Sequence, residues 1–302
     1  MTSGLSKYSW AVLAYTIFML ISGAYVRATG SGAGCGSHWP LCNGQVIPRL
    51  PQIETAVEFS HRAASGLGLV FILGLVVWAW RSSERGHPIR RTSAFALLFI
   101  LAEALIGAWL VLGRLVTTND STIRAFAVAL HLVNTFFLLA SLTLTARWAA
   151  IGNEMHPVKR RTEFWLIILG CFVILALNAS GAIAALGDTL FPPTTLLDSF
   201  RRDFSAPAHF LTKLRTYHPF IALGLGIYLL SVLAFLKHRH KGIPVRLLAN
   251  GLIALLIWQG FLGIVNVALL APVWTQLLHL LTSAMIWVTL ILLIPTVLEA
   301  QA

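Results

Sequence analysis

The sequence predicts an all-α integral membrane protein: eight transmembrane helices arranged as two pseudo-symmetric four-helix bundles. Three observations carry that prediction. Of the 302 residues, 57% are hydrophobic and only 11% charged, where a soluble protein has about 25% charged; mean hydropathy is +0.80. Apolar runs long enough to cross a bilayer, which takes about 20 residues of helix, recur along the whole chain. Short motifs also recur in the same order in its two halves.

Taken in order, the predicted spans are 8–27, 55–80, 92–113, 123–148, 164–186, 214–236, 245–270 and 274–297. The first follows "MTSGLSKYSW" directly and is too long for a cleaved signal peptide, and no Arg- and Ser-rich transit segment precedes it. A bacterial plasma membrane is therefore the expected location. Span 2 holds "HRAASGLG" from His61 and span 6 "HPFIALGLG" from His218. Span 3 holds "EALIG" (Glu103 to Gly107) and span 7 "QGFLG" (Gln259 to Gly263). Span 4 has "ALHLVNT" around His131, and span 8 has "LLHLLTS" around His279. Recurrence in fixed order marks a repeated unit. It divides the chain into an N-terminal half, 1–148, a basic linker, 149–163, and a C-terminal half, 164–302.

Charge predicts the orientation. With the N-terminus inside, the inner segments hold 13 of the 22 basic residues: Lys7, Arg81, Arg85, Arg90, Arg91, Arg147, Lys159, Arg160, Arg161, Lys237, Arg239, Lys241 and Arg246. Asp120, Asp188, Asp198 and Asp203 all fall in outer segments. The positive-inside rule then puts both termini in the cytoplasm. The net charge of +11 reads as this topology signal and as a basic rim facing anionic membrane lipid; it calls for no nucleic-acid partner.

This orientation puts the loop 28–54 outside, in an oxidising compartment, with two of the three cysteines, Cys35 and Cys42, in its "GSGAGCGSHWPLCNG" stretch. Cys35, His38 and Cys42 could offer a metal three ligands, but structural zinc takes four at short paired spacings. Outside the cytoplasm a disulfide is favoured. Cys171, within span 5, reads as a small buried apolar residue.

Of ten histidines, His38, His87, His156, His209, His238 and His240 lie in loops and read as solvated surface. The other four, His61, His131, His218 and His279, stand near the starts of spans 2, 4, 6 and 8. All four spans enter from the same side, so the four rings lie at similar depth. A lone intramembrane His is often a packing residue, but four at one depth, paired across a repeat, point to function. Neutral imidazole is a good iron ligand and helix bundles carry cofactors on facing helices. His61 with His131, and His218 with His279, each make a bis-His haem site, and Arg62, Arg124, Lys213 and Arg215 are placed toward haem propionates. The halves differ. Three residues before His61 is Glu58, but three before His218 is Arg215, and residues at that spacing share a helix face. Glu58 reads either as a proton-handling or charge-stabilising carboxylate beside a haem or as a solvated residue in the first helical turn, favoured there by the dipole.

"GAYVRATGSGAGCGSHWPLCNGQVIP", followed by "EFSHRAASG" and three further helix-borne histidines, resembles the heme A synthase family of bacteria and mitochondria. The resemblance is densest over 23–66. It implies two successive oxidations that turn the C8 methyl of haem O into the formyl group of haem A, for use by a haem-copper oxidase and downstream of a haem O synthase. It further implies that His61, His131 and Arg62 hold the substrate haem, with Glu58 as the essential acid. His218, His279 and Arg215 would hold a haem b cofactor, and Cys35 would pair with Cys42. A second cysteine pair found in some relatives is absent from "GDTLFPPTTLLDSFRRDF". Two other readings use the same histidines: a di-haem b electron carrier exchanging electrons with quinone, and a haem transporter with labile ligation.

Overall fold

The computed structural model describes residues 3–49, 52–152, 161–205 and 209–299. Among these residues the fold is helical, with nine α-helices and no strand beyond an isolated bridge between Cys42 and Gln45. The helices are α1 (Ser3–Ala28), α2 (Ile53–Ser82), α3 (Pro88–Leu112), α4 (Thr122–Ile151), α5 (Arg161–Leu190), α6 (Leu196–Asp203), α7 (Phe210–Arg239), α8 (Ile243–Ala268) and α9 (Val273–Glu299). All but α6 are long and apolar enough to cross a membrane, and they correspond one for one to the eight expected spans. This is a multi-pass membrane protein. His156, Lys159, Arg160 and most of the expected linker 149–163 lie outside the described residues.

Local chemistry sets the helix ends. The Ser121 hydroxyl accepts from the Arg124 N–H at 3.3 Å, and the His87 ring from the Ile89 N–H at 3.2 Å; each satisfies one of the orphan donors of a first turn. Pro88 opens α3, where its missing N–H costs nothing. Within the helices, hydroxyls such as Ser9, Thr16 and Thr143 donate to the carbonyl four residues back. That is how a polar side chain is satisfied in apolar surroundings.

Two sets of helices pack internally in the same way. In the first, α1 packs on α2 and α4, and α3 on α2 and α4; in the second, α5 packs on α7 and α9, and α8 on α7 and α9. Tyrosines tie the matching pairs, though from opposite members: Tyr8 and Tyr15 on α1 donate to the Phe71 and Ala64 carbonyls on α2, and Tyr228 on α7 donates to the Leu166 carbonyl on α5. The sets meet through α1, α4, α5 and α9, where buried Trp287 donates its indole N–H to the Phe136 carbonyl at 2.7 Å.

The turns divide between two ends. One end carries the disulfide loop, described over 29–49, the α3–α4 turn, α6 and the α8–α9 turn, with Arg27 on α1 donating to Ala185 and Thr189 on α5 and to Gln276 on α9. The other carries the α2–α3 and α7–α8 turns and is rich in arginine and lysine. The helices start earlier than the hydropathy runs suggest. The four intramembrane histidines consequently lie six to nine residues into their helices, about 9–14 Å from the helix start at 1.5 Å per residue.

Candidate functional site

Four imidazoles face four glycines. His61 on α2 stands against Gly23 on α1, where an added Cβ would lie 2.9 Å from the ring; His218 on α7 stands against Gly181 on α5, at 3.0 Å. His131 on α4 faces Gly107 on α3 at 4.0 Å, and His279 on α9 faces Gly263 on α8 at 3.4 Å. Each half thus holds two of these four histidines, and those of a half lie within electrostatic range of each other, His61 with His131 and His279 with His218. No three His, Cys, Asp or Glu side chains converge on a single metal position among the described residues. The histidines stand as two pairs.

A serine orients one ring of each pair. The Ser22 Oγ is 2.8 Å from His61 Nδ1, and the Ser180 Oγ is 2.9 Å from His218 Nδ1. With Nδ1 engaged, Nε2 is the nitrogen left for a metal, the usual division of labour in a ligating histidine. Two pairs of half-buried imidazoles, each with a small residue across the helix–helix seam, form a donor set that would suit haem iron, with one pair to hold such a group in each half. The sequence reading missed the serines and glycines. Their signal is the tripeptide Ser-Gly-Ala, at 22–24 and again at 180–182, in step with His61 and His218.

Glu58 is buried, 4% exposed, which removes the solvated first-turn reading. Its Oε2 accepts from the Cys35 N–H at 2.7 Å, and its Oε1 accepts from Arg62 Nη2 at 2.5 Å and Nε at 3.1 Å. Arg62 also donates Nη1 to the His38 and Leu41 carbonyls at 2.7 and 2.8 Å. One ion pair on α2 therefore holds both ends of the cysteine loop. Cys35 and Cys42 are bonded to each other, so the three-ligand metal reading of Cys35, His38 and Cys42 falls away. Gly34 packs on the backbone of Glu54 so closely that a Cβ there would strike it.

The other expected propionate partners are also engaged. Arg215 donates to Asp188 at 2.9 Å and to Asp203 at 2.6 Å, stapling α6 to α5 and α7. Arg124 donates to the Thr117 and Asn119 carbonyls. A second carboxylate, to which the sequence reading gave no role, lies in the N-terminal half: Glu103 Oε1 is 3.2 Å from His131 Nδ1. Its signal was the Glu in "EALIG" against the Gln in "QGFLG".

Comparison with known proteins bears on this arrangement. A Thermus thermophilus protein named protoheme IX farnesyltransferase is 45% identical over 300 residues, 99% of this chain and 49% of its own length. A second strain of the same species has a protein of the same name that matches to the same extent. This chain thus spans about half the length of those relatives. A heme A synthase of Staphylococcus aureus is 34% identical over 177 residues, 56% of this chain and 57% of its own length. The model of the COX15-CtaA family, described as cytochrome oxidase assembly protein, matches residues 6–291. With nearly its whole length matched, this chain belongs to the cytochrome oxidase assembly protein family.

Proposed function

We propose that the chain is a heme A synthase, an oxidoreductase that takes the C8 methyl of haem O to a formyl group in two successive oxidations. The observation that carries this is the inequality of two otherwise matching histidine pairs. Both halves offer two imidazoles, a serine on one of them and a glycine against each. The C-terminal half keeps its carboxylates, Asp188 and Asp203, on Arg215, whereas the N-terminal half sets Glu103 beside His131 and buries Glu58 one helical turn before His61. Passing an electron between haems needs no proton-handling group at either iron, whereas a site that changes its substrate needs groups that handle protons and developing charge. The S. aureus relatives named heme A synthase support the same reading.

In this reading His61 and His131 hold the substrate haem, and His218 and His279 hold haem b, which supplies one-electron transfer when bound. Arg62 and Arg215 steady the two sites from the disulfide end, each from within its own ion-pair cluster. Glu58 holds a proton or balances positive charge at its Oε2, one helical turn from His61. The basic end faces the bacterial cytoplasm, with both termini there. A haem O synthase supplies the substrate and a haem-copper oxidase receives the product.

The name of the Thermus relatives describes farnesyl transfer. Because this chain matches about half of each, we assign that transfer to a separate partner. Incubating the purified chain with protohaem and farnesyl diphosphate checks the assignment, and haem O formation would give the transfer to this chain.

The deciding experiment is haem extraction and chromatography. Haem A or hydroxylated haem O beside haem b supports the synthase; haem b alone from both halves overturns it in favour of the carrier. Glu58→Gln keeps volume and the acceptor for Cys35 but loses the charge. Since a general acid–base group contributes roughly 10²–10⁴-fold to a rate, this variant accumulates haem O or the hydroxylated intermediate while retaining the C-terminal haem. Normal haem A at equal protein abundance would refute the role of Glu58.

A further inference from the structure

We propose that Glu103 is the positioning residue for His131, and that it makes this axial ligand a stronger electron donor than its counterpart His279. The inference rests on the haem-binding reading above and concerns one difference between the two pairs.

The surroundings of the four histidines match at three points and part at the fourth. His61 and His218 each meet a serine. His131 and His279 each lie opposite a glycine, Gly107 and Gly263, and four residues before those glycines stand Glu103 and Gln259 in the same helical register. In the N-terminal half the register position is anionic. Glu103 Oε1 approaches His131 Nδ1 to 3.2 Å, off the line of a full hydrogen bond, and Nδ1 is buried with no other partner. A small rotation of the ring completes the bond. In the C-terminal half His279 Nδ1 is likewise buried and unpartnered, and so is the Gln259 amide oxygen.

Glu103 is also held for the task. Asn134 Nδ2 donates to its Oε2 at 2.5 Å and Thr135 Oγ1 to its Oε1 at 2.5 Å. Both residues sit one turn beyond His131 on α4, so ligand and acceptor are tied to the same helix. The corresponding residues after His279 are Thr282 and Ser283, and Ser283 donates instead to Asn178 on α5 at 2.6 Å. The C-terminal half thus has neither the carboxylate nor its clamp. A carboxylate on the outer nitrogen of a ligating imidazole fixes its tautomer, leaves Nε2 as the metal-binding nitrogen and raises its basicity. More electron donation to iron stabilises the ferric state and lowers the reduction potential. The asymmetry therefore places the lower-potential haem in the N-terminal half, downhill for electrons toward the C-terminal one.

A redox titration of the full chain, purified with haem in both halves and followed by its visible spectrum, tests this. His131→Ala and His279→Ala assign the two midpoints. Glu103→Gln raises the N-terminal midpoint and leaves the other in place, and Gln259→Glu lowers the C-terminal one. A carboxylate that only clamps α3 to α4 would move neither, so wild-type midpoints in both variants overturn the inference while leaving the synthase reading intact. If Glu103→Gln loses its N-terminal haem, Gln259→Glu decides alone: a lowered midpoint sustains the inference and an unchanged one overturns it. Absence of any bis-imidazole spectrum in the wild type would overturn the haem reading and this inference together.

Discussion

A side chain as small as a methyl group separates a working site from a blocked one where helices close on a ligand. At Gly23 and Gly181 a Cβ would come within 2.9 and 3.0 Å of the His61 and His218 rings, while at Gly66, on the same helix as His61, nothing lies within 4 Å. Gly23→Ala and Gly181→Ala force the imidazole to turn, which also strains its bond to Ser22 or Ser180. If the proposed haem sites are right, each substitution lowers haem content in its own half and spares the other. Gly66→Ala meets open space and keeps full haem, with a helix stabilised by up to about 1 kcal/mol. Haem quantification per protein, with the two spectra separated, checks all three. Equal loadings across the set would mean that the glycines serve helix packing alone.

At the scale of the element, the α2–α3 turn and the cysteine loop each depend on a single polar device. His87 is buried at the start of α3, where its Nδ1 accepts from the Ile89 N–H. Burial pushes its pKa below the usual histidine value, with Glu84 opposing and Arg90 adding to the effect. The folded state therefore binds this proton less readily than the unfolded state, so stability is present above about pH 6.5 and falls as pH drops through that range. Hydrogen exchange at the start of α3 should quicken on acidification in the wild type relative to His87→Asn, which caps without titrating; equal pH dependence in both would remove the argument. The disulfide closes a short loop, and losing that closure costs about 2–3 kcal/mol by chain entropy. Because Cys35 donates its N–H to Glu58 and Arg62 holds the carbonyls of His38 and Leu41, Cys42→Ser should deprotect residues 31–44 and weaken Glu58's hold as well. A wild-type exchange pattern would contradict it. How much of this the sequence discloses depends on whether a feature is local. Eight helices follow from apolar runs, and the histidines from their position in them. The short helix α6 was not expected, because eight residues beginning "LLDSF" form no long apolar run; its signal lies in the Thr195–Asp198 spacing, with Thr195 Oγ1 capping the Asp198 N–H. The contacts Glu58–Cys35, Ser22–His61 and Glu103–His131 join residues 23 to 39 positions apart, and no helical period connects them.

For the whole molecule, the two helix sets share one core, and Arg27 on α1 reaches both α5 and α9. The same layout gathers the basic residues of the α2–α3 and α7–α8 turns at the end opposite the disulfide loop. A lysine or arginine carried across the bilayer during insertion is costly, which is why basic short loops stay on the cytoplasmic side. That asymmetry and the disulfide's need for an oxidising compartment are separate arguments, and both favour the orientation proposed above. The chain lends itself to the test, because Cys35 and Cys42 are bonded and Cys171 is buried. An introduced thiol is then the reactive one. Arg85, exposed in the α2–α3 turn, and Thr118, exposed in the α3–α4 turn, lie at opposite ends. A membrane-impermeant maleimide should label Thr118→Cys in intact cells, and Arg85→Cys only after the membrane is opened. Labelling of Arg85→Cys from outside would invert the molecule, put the disulfide loop in a reducing compartment and leave both arguments without support.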